Sequence, residues 1–524
     1  MKLRTIVKIA ITSSVVLLCS GFALYSFFRL SAAEGQKDFN LYELVPSTTS
    51  AVFVTDDVLE FVAEVDELTC SKNQQYLYVS KLFSYLKQSL YALSEDTPHG
   101  LSRQMNQMLI SFHEPDNERN QVLYCRLGNG DKELVNRFVR KYISSLYPPK
   151  TFIYKGEEII IYPMADGDFL ACYLTSDFMA LSFQKKLIEN VIDAYKSGKS
   201  LADDSTFTGI RAPKKSAAAA TIYTRMQGMM GWTEFDMKMK DDFIYFSGIT
   251  HDADTCFAFI NQLRQQQSVK GFPGEVLPST AFYFSRQGIT DWVSLLSYGN
   301  AQGQSVPART SEVQNRDKEF SRYLMENAGQ DLVACLFQRE DTLQDAAAVL
   351  SLSVADVPEA ERMLRALVNA APADEGRRNP RITFCYTVNK AYPIYRLPQT
   401  TLFEQLTSFA EPTLDVYAAF YGGRLLLAPD ADALAHYIRQ LDKGEVLNGA
   451  MVYQTGMDHL SDSYHFMLMA DFDHIFQQSE NHVRFVPDFF LRNADFFRHF
   501  TLFVQFACAD GVVYPNIVLK YKSE

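Results

Sequence analysis

The stretch Glu43-Leu44-Val45-Pro46-Ser47-Thr48 returns as Glu275-Val276-Leu277-Pro278-Ser279-Thr280, and this echo decides how the chain is divided. Each copy opens onto an apolar run, Ser50 to Thr55 in the first and Ala281 to Ser285 in the second. Proline fits a strand entrance because it donates no ladder hydrogen bond. Further out, Asp168 to Leu187 can be laid over Asp415 to Leu434 without a gap, so that Phe178-Met179-Ala180 meets Leu425-Leu426-Leu427. The helices expected next carry Leu187 and Val191, or Leu434 and Ile438. They run into Gly198 and Gly444, the residue suited to a left-handed cap.

Between these landmarks the order of elements matches. Leu109 to Glu114 and Gln121 to Leu127 flank the turn formers Pro115-Asp116-Asn117, while Leu332 to Arg339 and Ala347 to Val354 flank Asp341 to Asp345. Helix faces follow at Leu134, Phe138 and Val139, and at Met363, Leu364, Leu367 and Val368. Closing hairpins are expected at Phe235 to Lys240 with Phe243 to Gly248, and at Leu502 to Ala507 with Val512 to Lys520. Helical spacing at Val79, Leu82, Phe83, Leu86 and Leu90 is interrupted in the second copy by Ser297 to Asp317, which reads as a loop. The expected fold class is α+β, with two tandem repeated units, 41–267 and 271–524, behind an N-terminal transmembrane helix. Each unit is a mainly antiparallel sheet with packed helices, because hairpins dominate over the long crossovers that parallel strands require.

The N-terminus supplies that helix. Lys2, Arg4 and Lys8 mark a cytoplasmic segment, 1–8, before the uncharged run Ile9 to Phe28. That run has about the 20 residues needed to cross a bilayer, and the basic bias before it places the body outside. Residues 29–40 read as a tether. A cleavable signal has an apolar run of only about 7 to 15 residues, so a retained signal anchor is expected although Ser31-Ala32-Ala33 offers small residues for a peptidase. Cys19 follows Val16-Leu17-Leu18, which is unlike a lipoprotein signal. The localisation expected is a single-pass membrane protein with a periplasmic or otherwise extracytoplasmic body.

Acidic residues number 62 against 50 basic ones, a formal net charge of -12, so phosphate neutralisation is not favoured and nucleic acid is not an expected partner. The cysteines outside the anchor are odd in number and lack a Cys-x-x-Cys pair, so they read as buried apolar residues rather than a framework. His459, His465, His474, His482 and His499 lie near Asp458, Asp462, Asp471 and Asp473. These are ligand types for a divalent metal, but no His-Glu-x-x-His spacing occurs, and neither a metal nor a cofactor is expected. Ser84 with Lys87 and Ser182 with Lys185 satisfy only a two-residue pattern, and no nucleophile elbow is present, so no catalytic residue is assigned. From Phe485 to Phe500 aromatic residues interleave with Arg484, Arg492 and Arg498. Phe485, Phe489, Phe490, Phe496 and Phe497 are candidate contacts for a partner or lipid if exposed, and core residues if packed inward.

The single N-terminal anchor, the Leu44 to Thr48 entrance and the sheet-and-helix units together resemble uncharacterised membrane-anchored envelope proteins of bacteria. The resemblance implies location and architecture and carries no catalytic residues. The expected function is a membrane-tethered extracytoplasmic protein, a non-enzymatic binding or structural component of the bacterial cell envelope. Its expected partners are the membrane, through the N-terminal helix, and an envelope protein, glycan or lipid. One alternative is an envelope hydrolase or metal-dependent enzyme using Asp471, Asp473 and His474. Another is a lipid-binding or lipid-carrier protein with an aromatic-lined cavity.

Overall fold

Leu44, Val45 and Leu277 are fully buried, and the prolines that follow make isolated bridges, Pro46 to Ser200 and Pro278 to Val446. Each hexapeptide thus pins the entry to a strand, as proline at a strand entrance permits. The structure is a computed structural model. It describes residues 39–522 except 74–104, 114–118, 129–130, 139–146, 165–166, 212–217, 226–231, 252–257, 297–309, 340–345, 371–380, 389, 408–412, 479–485 and 487.

The strands are β1 (Ala51–Thr55), β2 (Met108–Phe112), β3 (Gln121–Arg126), β4 (Lys150–Tyr154), β5 (Glu157–Pro163), β6 (Phe169–Leu174) and β7 (Phe178–Ser182). There follow β8 (Ala220–Thr224), β9 (Trp232–Lys240), β10 (Phe243–His251), β11 (Val269–Lys270), β12 (Ala281–Gly288), β13 (Ala328–Gln338) and β14 (Ala346–Val354). The remainder are β15 (Ile382–Tyr386), β16 (Ala391–Arg396), β17 (Tyr417–Tyr421), β18 (Arg424–Ala428), β19 (Ser463–Tyr464), β20 (Phe466–Asp471), β21 (Phe500–Ala509) and β22 (Val512–Tyr521). The longer helices are α1 (Val58–Glu67), α2 (Lys185–Ser197), α3 (Ser311–Asn327), α4 (Val357–Ala370) and α5 (Ala431–Asp442), and α6 (Phe472–Phe476) is a single turn after β20.

Twenty of the strands form one antiparallel sheet, and β11 pairs separately with β19. Across the large sheet the pairing runs β4, β5, β6, β7, β3, β2, β1, β8, β9, β10, then β22, β21, β20, β12, β13, β14, β18, β17, β16, β15. This corrects the expected fold class. The strands do not make two tandem repeated units with a sheet each, because β10 and β22 pair from Phe243 with Lys520 to Thr250 with Val513. The physical reason is that each closing hairpin leaves an outer strand with unpaired main-chain groups, and joining the two satisfies both edges.

Packing follows the strand period of two. In β3, Val122 and Tyr124 face one side while Leu123 and Cys125 face the other. In β13, Val333, Cys335 and Phe337 alternate with Leu332, Ala334 and Leu336. One side is covered by α2, through Ile188, Val191 and Ile192, and by α5, through Leu434, Tyr437 and Ile438. On the other side α1, α3 and α4 bury Phe61, Phe320 and Leu364 in a single cluster that also contains Phe53 and Leu336. That shared core reaches both halves of the sheet, which again departs from two separate units.

Local signals explain the helix ends. Asp57, Thr310 and Asp430 cap α1, α3 and α5 through their side-chain oxygens, and α2 ends at Gly198 with a φ of 63°. The stretch Ser297 to Asp317, expected as a loop, lies partly outside the described residues, and from Ser311 it is helix α3. The helical spacing from Val79 to Leu90 falls outside the described residues. Cys70, Cys125, Cys172, Cys335 and Cys385 are buried free thiols, and Cys508 is half-buried.

Among the described residues no helix is long and apolar enough to cross a membrane. The expected single-pass membrane protein with a signal anchor is corrected accordingly. The run Ile9 to Phe28 on which that expectation stood lies outside the described residues.

Candidate functional site

The three residues singled out for acid-base or metal chemistry sit where β20 turns into α6. Asp471 caps α6, accepting hydrogen bonds from the N–H groups of Asp473 at 3.0 Å and His474 at 3.5 Å. Its Oδ1 lies 2.7 Å from Lys522 Nζ, and its Oδ2 lies 3.4 Å from His474 Nδ1. Strand register brings Lys522 there, because Asp471 pairs with Thr501 and Thr501 pairs with Lys520. His474 also stacks on Phe282, with ring centroids 6.0 Å apart. Asp473 accepts from Gln477 Nε2 at 3.1 Å.

Electrostatics at this corner are those of a clamp. The Asp471 carboxylate raises the His474 pKa above its usual value, against the opposing effect of burial. Burial works to raise the Asp471 pKa, but His474 and the Lys522 charge outweigh it and hold the carboxyl below its usual value. Among the described residues no group of three or more His, Cys, Asp or Glu side chains could hold a metal ion. The arrangement can keep a proton on His474 and tie the end of β22 to α6.

The candidate phenylalanines divide. Phe497 is 6% exposed and belongs to the shared core, with Phe490 and Phe496 packed against it. Ring centroids lie 4.8 Å apart between Phe490 and Phe497, 4.9 Å between Phe490 and Phe472, and 4.9 Å between Phe496 and Phe500. Phe485 and the side chain of Phe489 lie outside the described residues.

Two further polar groups are internally satisfied. Asp331, on β13, lies 3.1 Å from Arg286 Nε and 3.3 Å from Arg424 Nη1, and Arg424 also bonds Ser351. Burial tends to raise the Asp331 pKa, but the Arg424 guanidinium outweighs it and the carboxyl is held low. Asp317, on α3, accepts from Thr400 Oγ1 at 2.6 Å, Thr401 N at 2.9 Å and Thr401 Oγ1 at 2.7 Å. Each carboxylate here has fixed partners, which is the pattern of groups that position structure.

Exposed apolar surface gathers elsewhere, at the two ends of the sheet. Among the described residues only β5 pairs with β4, and only β16 pairs with β15, so each outer strand keeps one unpaired ladder. On β4, Ile153 is 67% exposed and Phe152 also reaches solvent. On β15, Ile382 is 39%, Phe384 53% and Tyr386 72% exposed. These edges combine main-chain donors and acceptors with apolar side chains, which is the chemistry that adds an extended strand. The sequence does not mark them as edges. Ile382, Phe384 and Tyr386 alternate along it, but which strands lack a neighbour depends on the whole pairing order.

Compared with known proteins, the chain matches no family model, no curated protein and no solved structure.

Proposed function

We propose that this chain is a non-enzymatic binding protein that engages a partner main chain to main chain at the open edges of its sheet. The observation that carries the reading is the coincidence, at β4 and β15, of a ladder unpaired among the described residues with exposed apolar side chains. Buried polar groups support it from the other direction, since Asp317, Asp331 and Asp471 are each held by residues of the fold itself. Lysine placed on an edge strand blocks strand addition by forcing a charge into the join.

The test compares wild type with Ile153→Lys and Phe384→Lys, using Val293→Lys as a control at an exposed position that lies on no sheet strand. A partner held by wild type and the control, but lost from an edge variant, is the expected result. Equal retention by all four proteins would sink the reading.

A further inference from the structure

We propose that β15 is a self-pairing edge, at which two copies of this chain join antiparallel about a two-fold axis passing by Phe384. The proposal rests on the edge-binding reading above and goes further by naming the partner. Its register follows from the two ends of the β15 and β16 hairpin. Arg396 N–H donates to Arg381 O at 2.9 Å, and Thr387 N–H donates to Lys390 O at 3.0 Å. Bonded pairs alternate along an antiparallel ladder. Thr383 and Cys385 therefore turn their main chain toward β16, while Ile382, Phe384 and Tyr386 turn theirs outward.

The outward set is symmetric about Phe384. A two-fold axis sets Phe384 opposite its own copy and Ile382 opposite Tyr386, so every outward N–H faces a carbonyl. The side chains of the same three residues share one face of the strand, with the Phe384 and Tyr386 rings 6.3 Å apart. Self-pairing would lay them against one another as cross-strand aromatic and β-branched pairs.

Charge and side-chain placement favour a second copy at this edge. Between Ile382 and Tyr386 there is no charged residue and no proline, so two identical strands meet without like-charge repulsion. At the opposite edge the exposed Phe152 and Ile153 are neighbours along β4 and so lie on opposite faces, and no row of three apolar side chains forms there. A join of β4 to β15 would also propagate as an open filament, whereas a two-fold join at β15 closes with two copies.

Sedimentation of the full chain over a wide range of concentration tests this. Wild type and Ile153→Lys are expected to dimerise, and Phe384→Lys to stay monomeric with the thermal unfolding curve that wild type shows when diluted to monomer, since Phe384 is an exposed side chain. Phe384→Cys should form an intermolecular disulfide on mild oxidation, because bonded pairs hold their Cα atoms about 5.5 Å apart, inside the roughly 4.4 to 6.8 Å that a disulfide spans. A wild type that is monomeric at every concentration overturns the proposal, as does a dimer that survives Phe384→Lys. If wild type is monomeric yet Phe384→Lys loses a captured partner, self-pairing falls and the edge-binding reading stands. If the dimer depends on Phe384 while captured partners ignore both edge variants, self-pairing stands and the edge-binding reading narrows to the second copy alone.

Discussion

Gly288 shows how single atoms constrain this molecule. A Cβ at that position would run into the Gln267 carbonyl oxygen, and one at Gly456 would run into the Phe503 ring. Gly288→Ala and Gly456→Ala should each destabilise by about 2 kcal/mol, read as a lowered urea midpoint, because neither a backbone carbonyl nor a buried ring can move aside cheaply. Two histidines should bend the pH dependence of stability in opposite directions. Burial lowers the His113 pKa to about 4, with Ser111 Oγ 2.9 Å from its Nε2. The unfolded chain then binds more protons between about pH 4 and 6.5, so stability falls as pH drops through that window. His474 is raised by Asp471, so its contribution is complete below about pH 6.5 and fades as pH rises through the folded value. Urea midpoints from pH 4 to 8 should lose the acid-side fall in His113→Gln and the alkaline-side fall in His474→Gln. An unchanged profile in either variant would remove that histidine from the account.

Among the elements, α3 is held by one carboxylate. Asp317→Ala would strip the Thr400 and Thr401 hydroxyls and the Thr401 N–H of their common acceptor, at the start of the short helix Leu402–Leu406. A loss of about 2 to 3 kcal/mol in thermal or urea unfolding is expected, and a change near zero would mean that solvent replaces the carboxylate. This helix also marks the limit of what the sequence made legible. The spacing of Val313, Asp317, Phe320 and Leu324 after the cap Thr310 is helical, but the Gly- and Gln-rich stretch before it has the composition of a loop and masks where the helix begins. Hairpins such as β2 with β3 and β21 with β22 were readable because the turn and alternation lie within a few residues. The pairing of β10 with β22 was not, since it joins segments more than half the chain apart and no local period encodes it. The same holds at the corner beside α6. Asp471 and His474 are neighbours in sequence, whereas Lys522 arrives only through strand register.

At the scale of the whole molecule, a shared sheet and a shared core imply one cooperative unit. The chain has two tryptophans, Trp232 on β9 and Trp292 just beyond β12, so each half carries its own reporter. Trp232→Phe and Trp292→Phe should therefore show the same unfolding midpoint by fluorescence as by circular dichroism. Midpoints several degrees apart would mean that the β10 and β22 seam does not couple the halves. Val518→Asp would place a charge on a fully buried residue of β22, opposite Tyr245 and Phe503, and should cost several kcal/mol and weaken both reporters together. The seam also sets a timetable. β10 is complete at His251, yet its partner β22 begins only at Val512. At about 5 to 20 residues per second, β10 waits some tens of seconds on the ribosome with an open flank, long enough for a chaperone or a neighbouring nascent chain to compete for it.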